Sequence, residues 1–206
     1  MFARSSTIRA QPSKIDAGIE YLRDEAMPTM QGMAEFVGLS LLVDRESGRC
    51  IATSSWQSEQ AMRASAVQMK GIRDRGSEVL GGAAEVQEWE IAVMHRAHPA
   101  PEGACVRATW SRIDPERADR GIDTFRLGAL PRIEELDGFC SASLLIDRVN
   151  GRGVSTVTFD SRQAMDRSRE QGAAIRAAAM REAGIELIDT GEFELALAHL
   201  RVPEMA

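Results

Sequence analysis

The passage SLLVDRESGRCIATSSW, residues 40–56, returns as SLLIDRVNGRGVSTVTF, residues 143–159. Between Phe36–Trp56 and Phe139–Phe159, 9 of 21 positions are identical at a constant offset of 103 residues. The same offset pairs Pro12 with Pro115, Ile19 with Ile122, Pro28 with Pro131 and Ala61-Met62 with Ala164-Met165. After one residue of slip, EWEIAVMH (Glu88–His95) matches EFELALAH (Glu192–His199). A repeat of this kind is one structural unit used twice. The spacing places a first module at residues 1–95, a linker at 96–104 and a second module at 105–206.

Each copy runs through the same order of periodicities. FARSSTI and CVRATW open the halves as short strands rich in small and β-branched residues. A helix follows: Ile15, Ile19, Leu22, Ala26, Met30 and Met33 recur at three- and four-residue steps, and Ala118, Ile122, Phe125, Ala129, Ile133 and Leu136 keep the stripe apolar. Pro28 and Pro131 fall inside that stripe, where proline removes a helix hydrogen bond and predicts a kink or break. Two strands come next, with Asn150-Gly151 and Ser47-Gly48 predicting a primed hairpin turn. Ser58 and Ser161 stand where N-caps of a second helix belong, with Ala61, Ser65, Met69 and Ile72 on its inner face. The last strand alternates, Trp89, Ile91, Val93 and His95 on one face and Glu88, Glu90, Ala92 and Met94 on the other.

The order β-α-β-β-α-β is that of the ferredoxin-like module. Its four-stranded sheet carries helices on one face only, so the bare face needs a cover, which a second copy supplies. The linker RAHPAPEGA, nine residues, can reach up to roughly 30 Å. The fold expected is therefore α+β: two tandem ferredoxin-like modules forming an intramolecular dimeric α+β barrel. Exposed sheet edges leave room for a further homodimer.

Composition narrows the partners. The formal net charge of −6 argues against nucleic acid, whose phosphates require a basic face. No apolar run has the roughly 18 residues of a membrane span, and MFARSSTIRA has no apolar signal core. Cys50, Cys105 and Cys140 are odd in number, lack metal-ligand spacing and sit among apolar residues, as buried reduced thiols of a cytoplasmic protein do. No metal is expected. Lys14 and Lys70 are the only lysines among 25 basic residues. Arginine's planar donors therefore dominate any cationic site.

The chain resembles the antibiotic biosynthesis monooxygenase (ABM)-like family, with its dimeric α+β barrel. The resemblance rests on several features: the kinked helix ending in Pro28, Gly138-Phe139 (Glu35-Phe36 in the first copy), the hairpins with Gly48 and Gly151, and the aromatic residue before a Ser-capped helix. The last is TSSWQSEQAM in one copy and TVTFDSRQAM in the other. The whole chain is similar to a tandem actinobacterial form of that family with no assigned reaction. The resemblance implies a cavity holding a small apolar or aromatic molecule. It also implies cofactor-independent oxygenation, a carbanion of the substrate meeting O₂, or in other branches haem degradation. Those branches tend to use an asparagine on the first strand with tryptophan and histidine near the second helix. Here the only asparagine is Asn150, and Ser65 and Lys70, or Ser168 and Ala173, stand at the helical positions. These positions support haem poorly, though the resemblance leaves it open, and no cofactor is expected.

Candidate chemistry is sparse. His95 and His199 end equivalent strands, and an imidazole there would be a catalytic base or a half-buried structural residue. Arg4 and Arg107 on first strands, with Glu90 and Glu194 on last strands, form candidate pocket pairs. A guanidinium facing a cavity would anchor a carboxylate or enolate, whereas a cross-strand ion pair would fix register for about 1 kcal/mol at most. The charges at the hairpins, Asp44, Arg45 and Arg49 with Asp147, Arg148 and Arg152, read as turn-steadying or solvated. Trp110 stands where the first copy has Thr7, an asymmetry that marks a specialised pocket. Two functions remain: an ABM-like binding protein with monooxygenase chemistry, or a non-catalytic module that sequesters a ligand or meets a partner under stress.

Overall fold

The computed structural model describes residues 1–200 and 202–205, the side chain of Leu200 apart. The repeat is visible element by element. In the first copy β1 (Phe2–Arg9) leads to α1 (Ile15–Tyr21), a π-helical stretch (Leu22–Ala26) and α2 (Met27–Gln31); β2 (Phe36–Asp44), β3 (Arg49–Trp56), α3 (Glu59–Ala64), α4 (Ala66–Leu80) and β4 (Ala84–Arg96) follow. The second copy repeats this as β5 (Cys105–Arg112), α5 (Ala118–Asp123), a π-helical stretch (Thr124–Ala129), α6 (Leu130–Glu134), β6 (Phe139–Asp147), β7 (Arg152–Phe159), α7 (Arg162–Arg167), α8 (Arg169–Ala183) and β8 (Glu186–Leu200). The strands are ordered β1-β3-β2-β8-β5-β7-β6-β4 and close as an antiparallel barrel, the α+β class expected.

Two compact units make up the chain, Met1–Trp89 with Glu194–Val202, and Glu90–Phe193 with Pro203–Ala206. Their boundaries fall inside β4 and β8. In the first unit the end of β8 pairs with β2, from Val43↔Glu194 to Gly38↔Leu200. In the second, the end of β4 pairs with β6, from Glu90↔Ile146 to Arg96↔Ser141. Each last strand thus begins in the unit of its own repeat and finishes in the other. Ala92 and Ala196 are bulged out of these ladders. Because a bulge shifts the side-chain alternation by one, Ile91, Ala92 and Val93 are all buried, and the two-faced pattern predicted for β4 breaks there.

The proline kink takes the form of a π-bulge. Met27 N–H donates to Leu22 O and Leu130 N–H to Phe125 O, each five residues back. The prolines that follow have no N–H to donate. The hairpins differ from the primed turn predicted. Positive φ occurs at Gly48 (73°) and Gly151 (61°) but not at Ser47 or Asn150. Four residues connect the strands, because the Asp44 and Asp147 carboxylates accept from the second and third N–H groups after them and shape the loop. Ser58 and Ser161 cap as expected, accepting from Ala61 N at 3.1 Å and Ala164 N at 3.2 Å.

Core substitutions between the copies are coupled. Trp56 is 0% exposed and its indole N–H donates to Ser54 Oγ. Phe159, also 0% exposed, needs no acceptor, and Val157 stands at the position of Ser54. Trp89 donates to Ser5 Oγ at 2.9 Å; its counterpart Phe193 goes with Ala108 in place of Ser5. A buried indole keeps its partner, and a phenyl ring dispenses with it.

Candidate binding cavity and its arginine mouth

Arg4 and Arg107, 4% and 9% exposed, rise from the middle of the first strand of each copy and make matching bonds. The Arg4 guanidinium donates to Glu88 Oε1 at 2.9 and 2.7 Å, to Met62 O at 2.8 Å and to Ser65 Oγ at 3.2 Å. Arg107 donates to Glu192 Oε1 at 3.1 and 3.0 Å, to Met165 O at 2.6 Å and to Ser168 Oγ at 3.2 Å. Each arginine therefore ties its strand to the end of a short helix and to the last strand. The carboxylates are Glu88 and Glu192, not the expected Glu90 and Glu194. Those two lie beyond the point where β4 and β8 leave the unit of their own repeat. Glu90 accepts from Arg148 at 2.6 Å and Glu194 from Arg45 at 2.8 Å, and each arginine also reaches Asp119 or Asp16. The hairpin arginines read as solvated thus take the place assigned to Arg4 and Arg107.

A cavity lies between helices and sheet in each unit, about 100 Å³ in the second and about 40 Å³ in the first. Equivalent positions explain the difference. Ile8, Tyr21, Cys50, Met69 and Leu80, all buried in the first core, correspond to Ser111, Thr124, Gly153, Gly172 and Ala183. Ser111, Thr124, Gly153 and Gly172 line the space. Ala183 does not, and Ile113 and Ile185, which replace Ala10 and Gly82, take up the room beside Gly121 that Leu80 occupies beside Gly18. The remaining wall is mostly apolar, including Phe125, Ile133, Val157, Phe159 and Ile175, with Thr109, Ser111 and Ser155 along the strands. The π-helical stretch Thr124–Ala129 contributes three of the lining residues, Thr124, Phe125 and Ala129. Such bulges recur at functional sites.

Arg107 and Arg176 line this cavity and also an adjoining polar space with Arg169, Thr190 and Glu192. Around Glu192, Arg169 approaches at 2.9 Å and Arg162 at 3.5 Å besides Arg107. Arg162 and Arg169 stand where the first copy has Glu59 and Ala66. Arg63 and Lys70 of the first copy, paired with Glu59 and Asp74, stand where the second has Asp166 and Ala173, so the second mouth is the more positive. Arg169 is also paired with Asp166. Arg176 has no hydrogen-bond or ion-pair partner among the described residues. Burial, and then the Arg107 charge, pull its pKa down. Arg73, its equivalent, is lowered first by burial and then by Arg4, and its Nη1 is buried without a partner.

The other candidates lie elsewhere. Trp110 follows the strand alternation onto the face opposite Arg107, Thr109 and Ser111. There it meets the Phe193 ring edge-on at 6.1 Å, and the absence of a side chain at Gly191 makes room for both rings. His95 and His199 line neither cavity. His95 stacks on Phe139 at 6.0 Å between Glu134 (3.1 Å) and Glu204 (2.6 Å), and His199 lies 3.3 Å from Gln31. Burial pushes the Cys50 and Cys140 thiols up to about 11, which leaves them unreactive. Among the described residues no group of three metal-ligating side chains exists, and no helix is long and apolar enough to cross a membrane. Sequence reasoning selected Arg107 but missed Arg176, Arg169 and Gly172. The signal that finds them is the size and charge difference between repeat-equivalent positions.

Two ferredoxin-like repeats closed into one barrel, with a cavity between helices and sheet, define a protein of the ABM-like fold. An anthrone oxidase-like protein superposes with a TM-score of 0.68 over 100% of this chain and 94% of that one, at 14% identity. A ferredoxin-fold protein related to antibiotic biosynthesis monooxygenases, from Listeria monocytogenes 4b F2365, gives 0.53 over 95% of each chain at 12% identity. The heme-degrading enzyme LmHde of Listeria monocytogenes gives 0.55 over 95% of this chain and 99% of its own, at 11% identity. These likenesses are of fold. No family model matches the chain. In sequence it is 58% identical over 205 residues to the uncharacterized protein Rv2557 of Mycobacterium tuberculosis (strain ATCC 25618 / H37Rv), covering 100% of this chain and 92% of that protein. It is 52% identical over 206 residues to Rv2558 of the same strain, covering 100% and 87%. The chain belongs to the family of these mycobacterial proteins.

Proposed function

We propose that the protein binds a small apolar or aromatic molecule in the cavity of its second unit. One observation carries this reading: on the same scaffold the cavity is about 100 Å³ in the second unit against about 40 Å³ in the first, with Ser111, Thr124, Gly153 and Gly172 in its wall where the first copy has Ile8, Tyr21, Cys50 and Met69. An apolar cavity of ~150 Å³ accepts benzene; at about 100 Å³ this one takes a short chain, or a single ring that reaches into the adjoining space shared through Arg107 and Arg176. A porphyrin does not fit that space, and no histidine stands in its wall to ligate iron. The only titratable lining groups are Arg107 and Arg176. A guanidinium holds an anion but takes no proton from a substrate. That favours sequestration over the oxygenase reading, in which a base must first generate the carbanion.

Titration of the protein with ethylbenzene, followed by methyl-region NMR, tests this. Saturable shifts confined to residues around Phe125, Ile175 and Phe159, without oxygen uptake, are expected. Replacement of Gly172 by Met, the residue of the first copy, abolishes them. Shifts that survive Gly172→Met would overturn the assignment of the cavity. Oxygen consumption lost in His95→Ala or His199→Ala would establish the oxygenase reading instead.

A further inference from the structure

From the pairing pattern at the mouth, and resting on the cavity reading above, we infer that the ligand is an amphipathic anion whose acidic head is received by Arg176. The apolar body enters the hollow of the second unit, and a carboxylate or phenolate head stays in the adjoining polar space. Three facts converge on this. Arg107 is largely committed: four of its five N–H donors go to Glu192 (two), Ser168 and Met165. It is therefore a positioning residue that shapes the wall, and the Phe159 ring lies 5.5 Å beneath its guanidinium carbon. Arg162 and Arg169 are held by Glu192 and Asp166. Arg176, unlike the other three arginines, has no hydrogen-bond or ion-pair partner among the described residues, and it borders both the apolar hollow and the polar space. A planar fork of unused N–H groups at an apolar cavity matches a carboxylate two bonds at a time.

The comparison within the chain sharpens the assignment. Arg73 has the same place in the first unit and its Nη1 has no partner among the described residues, but the cavity it lines with Met69 and Leu80 is only about 40 Å³. Glu59 and Ala66 stand where the second mouth has Arg162 and Arg169. The larger body space and the more positive head space occur in the same copy: in the first copy the cavity is about 40 Å³, and Arg63 and Lys70, which stand where the second has Asp166 and Ala173, are paired with Glu59 and Asp74. A neutral ligand would require only the first of these changes. A cation would be repelled by the second.

The test is isothermal titration calorimetry of the full chain with 4-ethylbenzoate, its neutral isostere 4-ethylbenzamide, and ethylbenzene. The benzoate is expected to bind at least about tenfold more tightly than the amide, with the preference shrinking as salt rises. Arg176→Gln removes the preference and leaves amide binding in place, while Arg73→Gln changes neither. Gly172→Met abolishes binding of all three. Equal affinity for benzoate and amide in the wild type, or a preference that survives Arg176→Gln in a variant with unaltered circular dichroism, overturns the anion inference but leaves the cavity reading standing. Failure of all three probes to bind overturns both. Arg176→Lys guards against a structural artefact: it restores charge without the planar fork, so partial recovery of the preference is expected.

Discussion

The two units answer the same packing problem in different ways. In the first, Ile8, Tyr21, Cys50, Met69 and Leu80 close the space between helices and sheet. In the second, their counterparts leave it open. The arginine, its carboxylate and the serine at the helix junction are preserved in both. What duplicates is the frame; what diverges is the filling. The exchange runs both ways: Ile113, Val157, Ala179, Met180 and Ile185 stand in the same wall where the first copy has Ala10, Ser54, Gly76, Ser77 and Gly82, as close packing requires. The reductions at Ser111, Thr124, Gly153 and Gly172 gather in the cavity wall, with Arg162 and Arg169 at its mouth, and read as a site opened within a structural core.

The largest expected effects come from exchanging that filling. Met69→Gly copies the second unit's hollow into the first. It should cost about 3–5 kcal/mol, combining loss of a buried methionine with a glycine in a helix interior. Gly172→Met should run the other way. A Cβ there lies 3.9 Å from Leu136 Cδ1 and presses on Arg107 Nη1 at 3.3 Å, so that guanidinium must yield by a few tenths of an ångström, as Arg4 does beside Met69 in the equivalent place. A gain of about 1–2 kcal/mol is expected from the filled void and the better helix former. Urea unfolding of both variants checks the pair. If Gly172→Met destabilises the chain, the second unit is not hollow as described.

A smaller contrast separates Gly138 from Glu35, which share a left-handed backbone at φ 69° and 58°. A Cβ at Gly138 would lie 2.5 Å from the Ala164 Cβ. Gly138→Ala should therefore cost about 2–3 kcal/mol, from the strained φ and the overlap together. Glu35→Gly relieves a strain of about 1 kcal/mol. It also loses the 2.6 Å bond from Ser58 Oγ, worth about 0.5–1 kcal/mol at an exposed site. Its net effect should stay within about 0.5 kcal/mol of zero in the same unfolding assay. A large loss in Glu35→Gly would show that the carboxylate at the start of α3 matters more than the backbone.

The frame was legible because repetition and periodicity are local: the helix stripes, Ser58 and Ser161 as caps, and the kinks before Pro28 and Pro131 all follow from neighbours in the chain. The exchange of strand ends was not. It is set by which ladder accepts residues 90–96 and 194–200, and it moved Glu90 and Glu194 away from Arg4 and Arg107. The bulges at Ala92 and Ala196 were equally hidden, since an apolar run reads the same with or without a one-residue slip. Trp110 drew attention by its asymmetry, yet strand parity turns it away from the cavity. The asymmetries that matter were small residues, Gly172, Thr124 and Gly153, which carry no chemistry and become visible only when summed over a shared space.

The faintest expected contrast lies at the strand ends. His95 sits between Glu134 and Glu204, whereas Gln31 takes the place of Glu134 beside His199. Burial opposes the imidazolium of His95, but the two carboxylates outweigh it and hold its pKa above the ordinary value near 6.5. A group whose pKa is raised on folding stabilises fully below its unfolded pKa and loses that contribution as pH rises through the folded one. The C-terminal segment should therefore be held more firmly on the acid side of neutrality. It is anchored by Met205 N–H to Met94 O at 2.7 Å and by the Arg96 amide to Glu204. With both carboxylates about half exposed, the gain should stay under about 1 kcal/mol. Hydrogen exchange at the Met205 amide, corrected for the intrinsic pH dependence, should show protection that falls as pH rises past about 6.5. That fall should vanish in His95→Gln and persist in His199→Gln. Protection that stays flat with pH in the wild type would mean the backbone pairing of Met94 and Met205 holds the segment alone, without help from the charged histidine.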